Sequence, residues 1–322
     1  MFSRGTASRL FAAAAAVLLA GAAACDLTEV RTTPGDDVIV VEGVLDASFD
    51  VQSILLHRSL QGNVAEGVPD ARVTVTDDRG TEHAFFGQEA GCYQVATRYV
   101  DEDSLTFRGT CYFSDLADKG WVRPGGTYDL RVETPDGRVI RGRTHVPGDF
   151  RLTTVPSETD PFGDSPCSLA PDSAFPLLWT RAANAAGYLS ALRASHLDGI
   201  MGRGFYVPES LELRGVSVSE SDTSIVLPTE FGVFERFDYS DELLKAIANG
   251  FPEGTLVDVA VSAADRNWVT SARGGPFNPS GQIRVSTVVG DGVGVFGSLV
   301  RKRAFVVVQK RTPLPRCGVV SA

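Results

Sequence analysis

The sequence is short of histidine and short of positive charge. It has 4 histidines in 322 residues. His57, His83, His145 and His196 are scattered, and none sits in a recognisable catalytic motif. His57 lies beside Arg58 with Ser59 next, and no triad is completed there. No CxxC and no HxxxH spacing occurs, so zinc ligands are not set out in a usual pattern. Thirty Lys and Arg against 40 Asp and Glu leave a formal net charge of -10. That balance argues against a nucleic-acid partner and against electrostatic adsorption to anionic lipid. The expectation is therefore no catalytic residue, no metal and no cofactor. The apolar fraction, 43%, and the charged fraction, 22%, are ordinary and permit a sizeable core.

The amino terminus carries an address. Arg4 and Arg9 precede the run LFAAAAAVLLAGAAA and then Cys25, the order of a secretory signal's charged, apolar and small-residue regions. The run is too short and too rich in Ala to span a bilayer comfortably. Ala22-Ala23-Ala24-Cys25 is similar to the lipobox of bacterial lipoproteins, with Ala22 standing where Leu is usual. Cys25 is thus the expected lipidation site and the membrane the expected partner, through a lipid anchor. Ordinary signal cleavage, the alternative, would leave Cys25 a free thiol. Loss of Arg4 and Arg9 with the signal takes the net charge from -10 to -12, since no acid leaves with them. Residues 1–24 are then the signal peptide, and 25–37, with Thr32, Thr33, Pro34 and Gly35, a polar tether.

With Cys25 set aside, Cys92, Cys111, Cys167 and Cys317 are an even set in an oxidising compartment. They allow three pairings. The expected one joins Cys92 to Cys111 across a hairpin-like excursion and ties Cys167 to Cys317 at the far end of the chain.

The rest reads as β-structure. Gly125 to Pro147, GGTYDLRVETPDGRVIRGRTHVP, specifies a hairpin: Tyr128, Leu130 and Val132 alternate with Asp129, Arg131 and Glu133. Pro135-Asp136-Gly137 supplies the turn. On the return strand Val139, Gly142 and Thr144 are expected opposite in facing to Arg138, Arg141 and Arg143. Upstream, Val38 to Leu45, Ser53 to Ser59, Ala71 to Thr76 and Gly91 to Val95 are further strands, with a tight turn at Asp77-Asp78-Arg79-Gly80.

Taken together, Val40-Val41-Glu42-Gly43, then GVPDARVTVTDDRG from Gly67, then Gly91-Cys92-Tyr93, then PGGTYDLRVETPDGRVIRGRTHVP from Pro124, resemble the bacterial lipoprotein family catalogued as domain of unknown function 4249. The resemblance implies a chain lipid-anchored at the outer membrane, with a TonB-dependent transporter as the expected partner. It implies no activity, because none is established for the family. This chain departs from the family in a longer insert, Tyr99 to Trp121. Asp101, Glu102, Asp103, Asp115 and Asp118 in it lack the spacing of a calcium loop and read as a solvated acidic loop.

Past Pro147 a Pro-, Asp- and Ser-rich stretch marks a linker, 149–174, between a first β-sandwich at 38–148 and a second at 175–322. The fold class expected is all-β: an Ig- or transthyretin-like sandwich and a fibronectin-like one. Trp179 and Tyr188 are expected core aromatics. The one helix expected is Ser240 to Asn249, stopped by Gly250. Gly292-Val293-Gly294-Val295-Phe296-Gly297 matches the dinucleotide fingerprint in letters only, because the residues from Ser298 to Val308 are rich in β-branched side chains and carry no helix cap. It is similar to a motif near the end of the same family, and its glycines are expected to allow close strand packing or a bulge. Asn267 and Trp268, in a loop-rich stretch, are the candidate ligand loop, for a ligand the sequence does not name. The functional classes left are an accessory binding lipoprotein, a structural or adhesion module, and a hydrolase on a β-sandwich.

Overall fold

The computed structural model describes residues 37–59, 66–88, 109–155, 166–197, 210–217, 219–228, 247–273, 285–311 and 313–318. In chain order the strands are β1 (Ile39–Asp46), β2 (Ser53–Arg58), β3 (Arg72–Asp77), β4 (Glu82–Gln88), β5 (Thr110–Ser114), β6 (Thr127–Glu133), β7 (Val139–His145) and β8 (Cys167–Leu169). They continue with β9 (Phe175–Leu178), β10 (Gly187–Ser195), β11 (Ser210–Val216), β12 (Ser224–Leu227), β13 (Leu256–Ala264), β14 (Val288–Gly290) and β15 (Gly292–Val308), and a short helix, α1 (Arg266–Arg273), comes after β13. The architecture is all-β.

The central hairpin forms as its residues dictate. Tyr128, Leu130 and Val132 are buried, Gly137 takes φ +86°, and Gly137 N–H donates to Thr134 O at 2.9 Å. Its return strand differs from the expectation in the facing of one residue, Val139. The inward set is Ile140, Gly142 and Thr144, with Ile140 fully buried, while Val139 shares its face with Arg141 and Arg143. Gly142 shows no side chain, so the alternation there is legible only from its neighbours.

Rather than two separately closed sandwiches, the strands form a 13-stranded sheet in the order β11-β10-β13-β15-β1-β2-β5-β4-β3-β6-β7-β14, with β8 pairing β15 off that path. A second sheet is the pair β9–β12. The long sheet is continuous because β15, 17 residues long, serves both halves. Its first part pairs in parallel with β1, from Ile39↔Gly292 to Asp46↔Leu299. The rest pairs antiparallel with β13, from Ala264↔Leu299 to Leu256↔Val307.

The amino-terminal half curls until β7 and β14 lie against β15. Phe296, fully buried, fills that space, and two glycines lie above it. A Cβ on Gly142 would stand 2.9 Å from the Phe296 Cβ, and one on Gly43 would stand 3.3 Å from its ring. Gly294 has φ +130°, and a Cβ there would stand 2.0 Å from Val41 O. The glycine motif therefore shapes backbone, as expected, and permits the β1–β15 pairing.

In the other half, Leu177, Trp179, Tyr188, Ile225 and Leu227 are buried in the same continuous core as Leu192, Val257, Val259, Val306 and Val308. The expected helix Ser240 to Asn249 lies, save for its last residues, outside the described residues. Gly250 after it has φ +150°, and a Cβ there would lie 2.2 Å from Ser173 N. Among the described residues no helix is long and apolar enough to cross a membrane.

Three buried tyrosines fasten loops to strands. Tyr112 OH donates to Val68 O and accepts from Ala71 N–H. Tyr128 OH donates to Trp121 O and accepts from Arg123 N–H, at 2.9 and 2.8 Å. Tyr188 OH accepts from Ala182 N–H at 2.8 Å. Burial raises the pKa of all three phenols.

Candidate functional site

A cleft of about 440 Å³ opens where the two halves meet. Thr127, Arg143, Thr144 and His145 come to it from β6 and β7, Asn184 from the turn before β10, and Asp265, Arg266 and Asn267 from the start of α1.

Each wall is fixed by local structure. The hairpin sets Thr127 opposite His145, with Thr127 Oγ1 3.0 Å from His145 Nδ1. Asn184 holds φ +59°, a left-handed conformation that Asn tolerates better than most residues. Its turn is docked on the β7 exit by Gly148 N–H donating to Ala183 O at 2.7 Å. From there Asn184 Nδ2 reaches His145 Nε2 at 3.1 Å. With that amide donating to Nε2, the neutral ring carries its proton on Nδ1 and donates it to Thr127 Oγ1. The Thr127 hydroxyl hydrogen is then free to point elsewhere.

Asp265 is the structural centre. It is 5% exposed and caps α1, accepting from Trp268 N–H at 2.8 Å. Oδ1 also accepts from Ser298 N–H, and Oδ2 from the Thr144 hydroxyl at 2.7 Å. Thr144 Oγ1 lies 2.7 Å from Ser298 Oγ. Since Thr144 has one hydroxyl hydrogen, Ser298 donates to Thr144 and Thr144 donates to the carboxylate. Burial is the largest influence on Asp265 and raises its pKa against these hydrogen bonds.

The two arginines differ. Arg143 forms a bidentate pair with Asp129, 2.7 and 2.9 Å. Arg266, exposed at the first position of α1, has no hydrogen bond or ion pair among the described residues.

Asn267 and Trp268, expected in a loop, instead occupy the first turn of α1. Asn267 Nδ2 donates to Arg143 O and Phe296 O, both at 2.8 Å, and so clamps β7 to β15. Trp268 is half-buried with Ala264, Val269 and Leu299, and a Cβ on Gly297 would meet its Cβ at 2.9 Å. Cys167 and Cys317 are joined, with a Cα–Cα distance of 5.1 Å. Cys111 is disulfide-bonded; Cys92 and Cys25 lie outside the described residues. Of the acidic insert, Asp101, Glu102 and Asp103 also lie outside them. Asp118 Oδ2 contacts His83 Nδ1 at 2.9 Å, and His83 stacks on Trp121 at 4.1 Å between centroids. Among the described residues no three His, Cys, Asp or Glu gather to hold a metal.

Thr127, Arg143, Asn184 and Arg266 do not stand out in the sequence. For the first a signal is present: counting back from the turn, where Glu133 faces Val139, puts Thr127 opposite His145. Asn184 and Arg266 have none, since they meet the hairpin only through the fold.

None of the curated proteins compared with the chain matches it. The model of one family does match, over residues 27–175, the stretch that holds β1 to β8 and the hairpin wall of the cleft. That family is the one described as Domain of unknown function (DUF4249), to which residues 27–175 are assigned.

Proposed function

We propose that the protein is a lipid-anchored, non-enzymatic lipoprotein of the outer envelope that binds a ligand or partner in the waist cleft, beside a TonB-dependent transporter. The observation that carries this reading is the polarity of β15. Asp37, the last residue of the tether and the first described residue, is gripped by Arg58 and Arg138 at the end of the sheet where β1 and β15 begin. The cleft lies at the opposite end of β6 and β7, roughly 20 Å away at about 3.3 Å per residue. The other half continues beyond it along the remainder of β15. In a chain anchored through Cys25, the cleft and the second half stand at the end of the sheet away from Asp37, which supports their contact with an envelope partner.

Mass spectrometry of the exported protein should find acyl groups on Cys25, and a pull-down from detergent-solubilised membranes should recover a TonB-dependent transporter. An unmodified Cys25 thiol, or repeated pull-downs with no transporter, would overturn the assignment.

A further inference from the structure

We infer that the waist cleft binds a small organic anion through a carboxylate, with Arg266 as its main contact and Thr127 and Arg143 flanking it. This rests on reading the cleft as a binding site and goes on to name the chemistry of its occupant.

The first ground is charge. A chain with net charge -10 brings two arginines to one opening, Arg143 paired with Asp129 and Arg266 with no ion pair among the described residues. The acid that shares the opening, Asp265, has its oxygens occupied by Trp268 N–H, Ser298 N–H and the Thr144 hydroxyl, and it is buried.

The second is the position of Arg266. The first turn of a helix is the place where a cation is least welcome, because the helix dipole puts positive charge there. No acidic residue occupies that turn, and Arg266 has no ion pair among the described residues. Among the described residues nothing compensates a guanidinium at this site, whereas an anion in the cleft gains a rigidly based partner. The third is the hydrogen-bond sense of the neighbouring wall. The Asn184–His145–Thr127 chain ends in a hydroxyl hydrogen that is free to donate into the opening.

A carboxylate fits better than a phosphate. Phosphate sites at helix starts use free backbone N–H groups, and here Asp265 already accepts from the Trp268 N–H. A guanidinium with no ion pair among the described residues matches the two oxygens of one carboxylate.

The test uses the full-length protein purified in detergent and isothermal titration calorimetry with citrate, inorganic phosphate and maltose as probes. Citrate should bind saturably and more tightly than phosphate, and maltose should give no saturable heat. Arg266→Glu should weaken citrate binding at least about tenfold, the loss of one charge-assisted hydrogen-bonding contact. The same variant should melt at or above the wild-type temperature, because Glu at a helix start is favoured. Loss of citrate binding with retained stability supports the proposal. Absence of citrate binding, equal affinity in Arg266→Glu, or tighter binding of phosphate or maltose overturns it. The measurement reads the purified protein alone, so a failed transporter pull-down and a failed titration are separate results.

Discussion

Asp265 offers a test of how the two halves are held, because the same carboxylate caps α1 and joins β7 to β15. Asp265→Ala would remove the cap and strand two buried partners, Ser298 N–H and the Thr144 hydroxyl. A lost cap costs about 1 kcal/mol and the stranded groups about 1–3 kcal/mol. The expected loss is therefore about 3 kcal/mol, read as a fall in melting temperature of several degrees. Asp265→Asn should behave differently. Its Oδ1 can still accept from Trp268 and Ser298, while its Nδ2 donates to Thr144, whose hydroxyl turns to donate to Ser298. The network survives with its direction reversed and without a buried charge.

The pH dependence comes from burial, which raises the Asp265 pKa above its ordinary 3.8. The folded chain then holds this proton to higher pH than the unfolded chain. The associated stability is full below 3.8 and is lost as pH rises through the folded value. Asparagine has no such loss, so Asp265→Asn should gain on the wild type as pH climbs from about 3 to 7. Denaturant melts across that range measure the difference, in which carboxylates common to both proteins cancel. An Asn variant as damaged as Ala at neutral pH, or a gap independent of pH, would refute the reasoning.

Other perturbations read other joints. Gly294→Ala places a Cβ 2.0 Å from Val41 O at φ +130° and should cost at least about 1–3 kcal/mol, seen as faster amide exchange in both β1 and β15. Tyr128→Phe leaves Arg123 N–H and Trp121 O without their phenol and should cost about 1–3 kcal/mol in a denaturant melt. The raised pKa values of Tyr112, Tyr128 and Tyr188 add that stability is full below pH 10 and lost as pH rises through the folded values, a loss that Tyr128→Phe should lessen. Replacing Cys167 and Cys317 by Ser opens a loop of sequence separation 150 and should lower stability by about 2–5 kcal/mol in a non-reducing denaturant melt.

The features legible in the sequence are local or backed by steric necessity. The hairpin from Gly125 to Pro147 is coded by alternation and by its turn, and the refusal of Gly292 to Gly297 as a phosphate loop rests on the β-branched residues after it. The facing of the return strand is ambiguous at one point, because Gly142 is silent about its side and Val139 and Ile140 are equally apolar; the expected facing of Val139 was wrong for that reason. The helix at Asn267 and Trp268 is hidden for a physical reason: eight residues with no acid in the first turn form a poor helix alone. It is held by Asp265 and by Asn267 bonding to β7 and β15, and those two strands are distant in sequence. The cleft is illegible for the same reason, since its walls come from three separate segments. Above all, period-two patterning gives a strand its faces and not its partner. Nothing local joins Ile39–Asp46 to Gly292–Leu299, and the expectation of two separate sandwiches comes from that silence.

Residues 27–175, the stretch that carries the family match, supply β1 to β8, yet the sheet they encode is completed by β14 against β7 and by β15 against β1. Cut at residue 175, the amino-terminal half would expose two strand edges and lose Phe296 from beneath Gly43 and Gly142. Losing a buried Phe alone costs about 3–5 kcal/mol, a large share of the roughly 5–15 kcal/mol that holds a domain together. The unpaired edge of β1, with Ile39, Val41 and Leu45 fully buried in the intact chain, would invite association. A fragment of residues 25–175 should therefore aggregate or melt without cooperativity, and fusing residues 285–311 to it through a flexible linker should restore a cooperative transition. A fragment 25–175 that melts cooperatively on its own, with native near-ultraviolet dichroism, would show that β15 decorates this half rather than completes it.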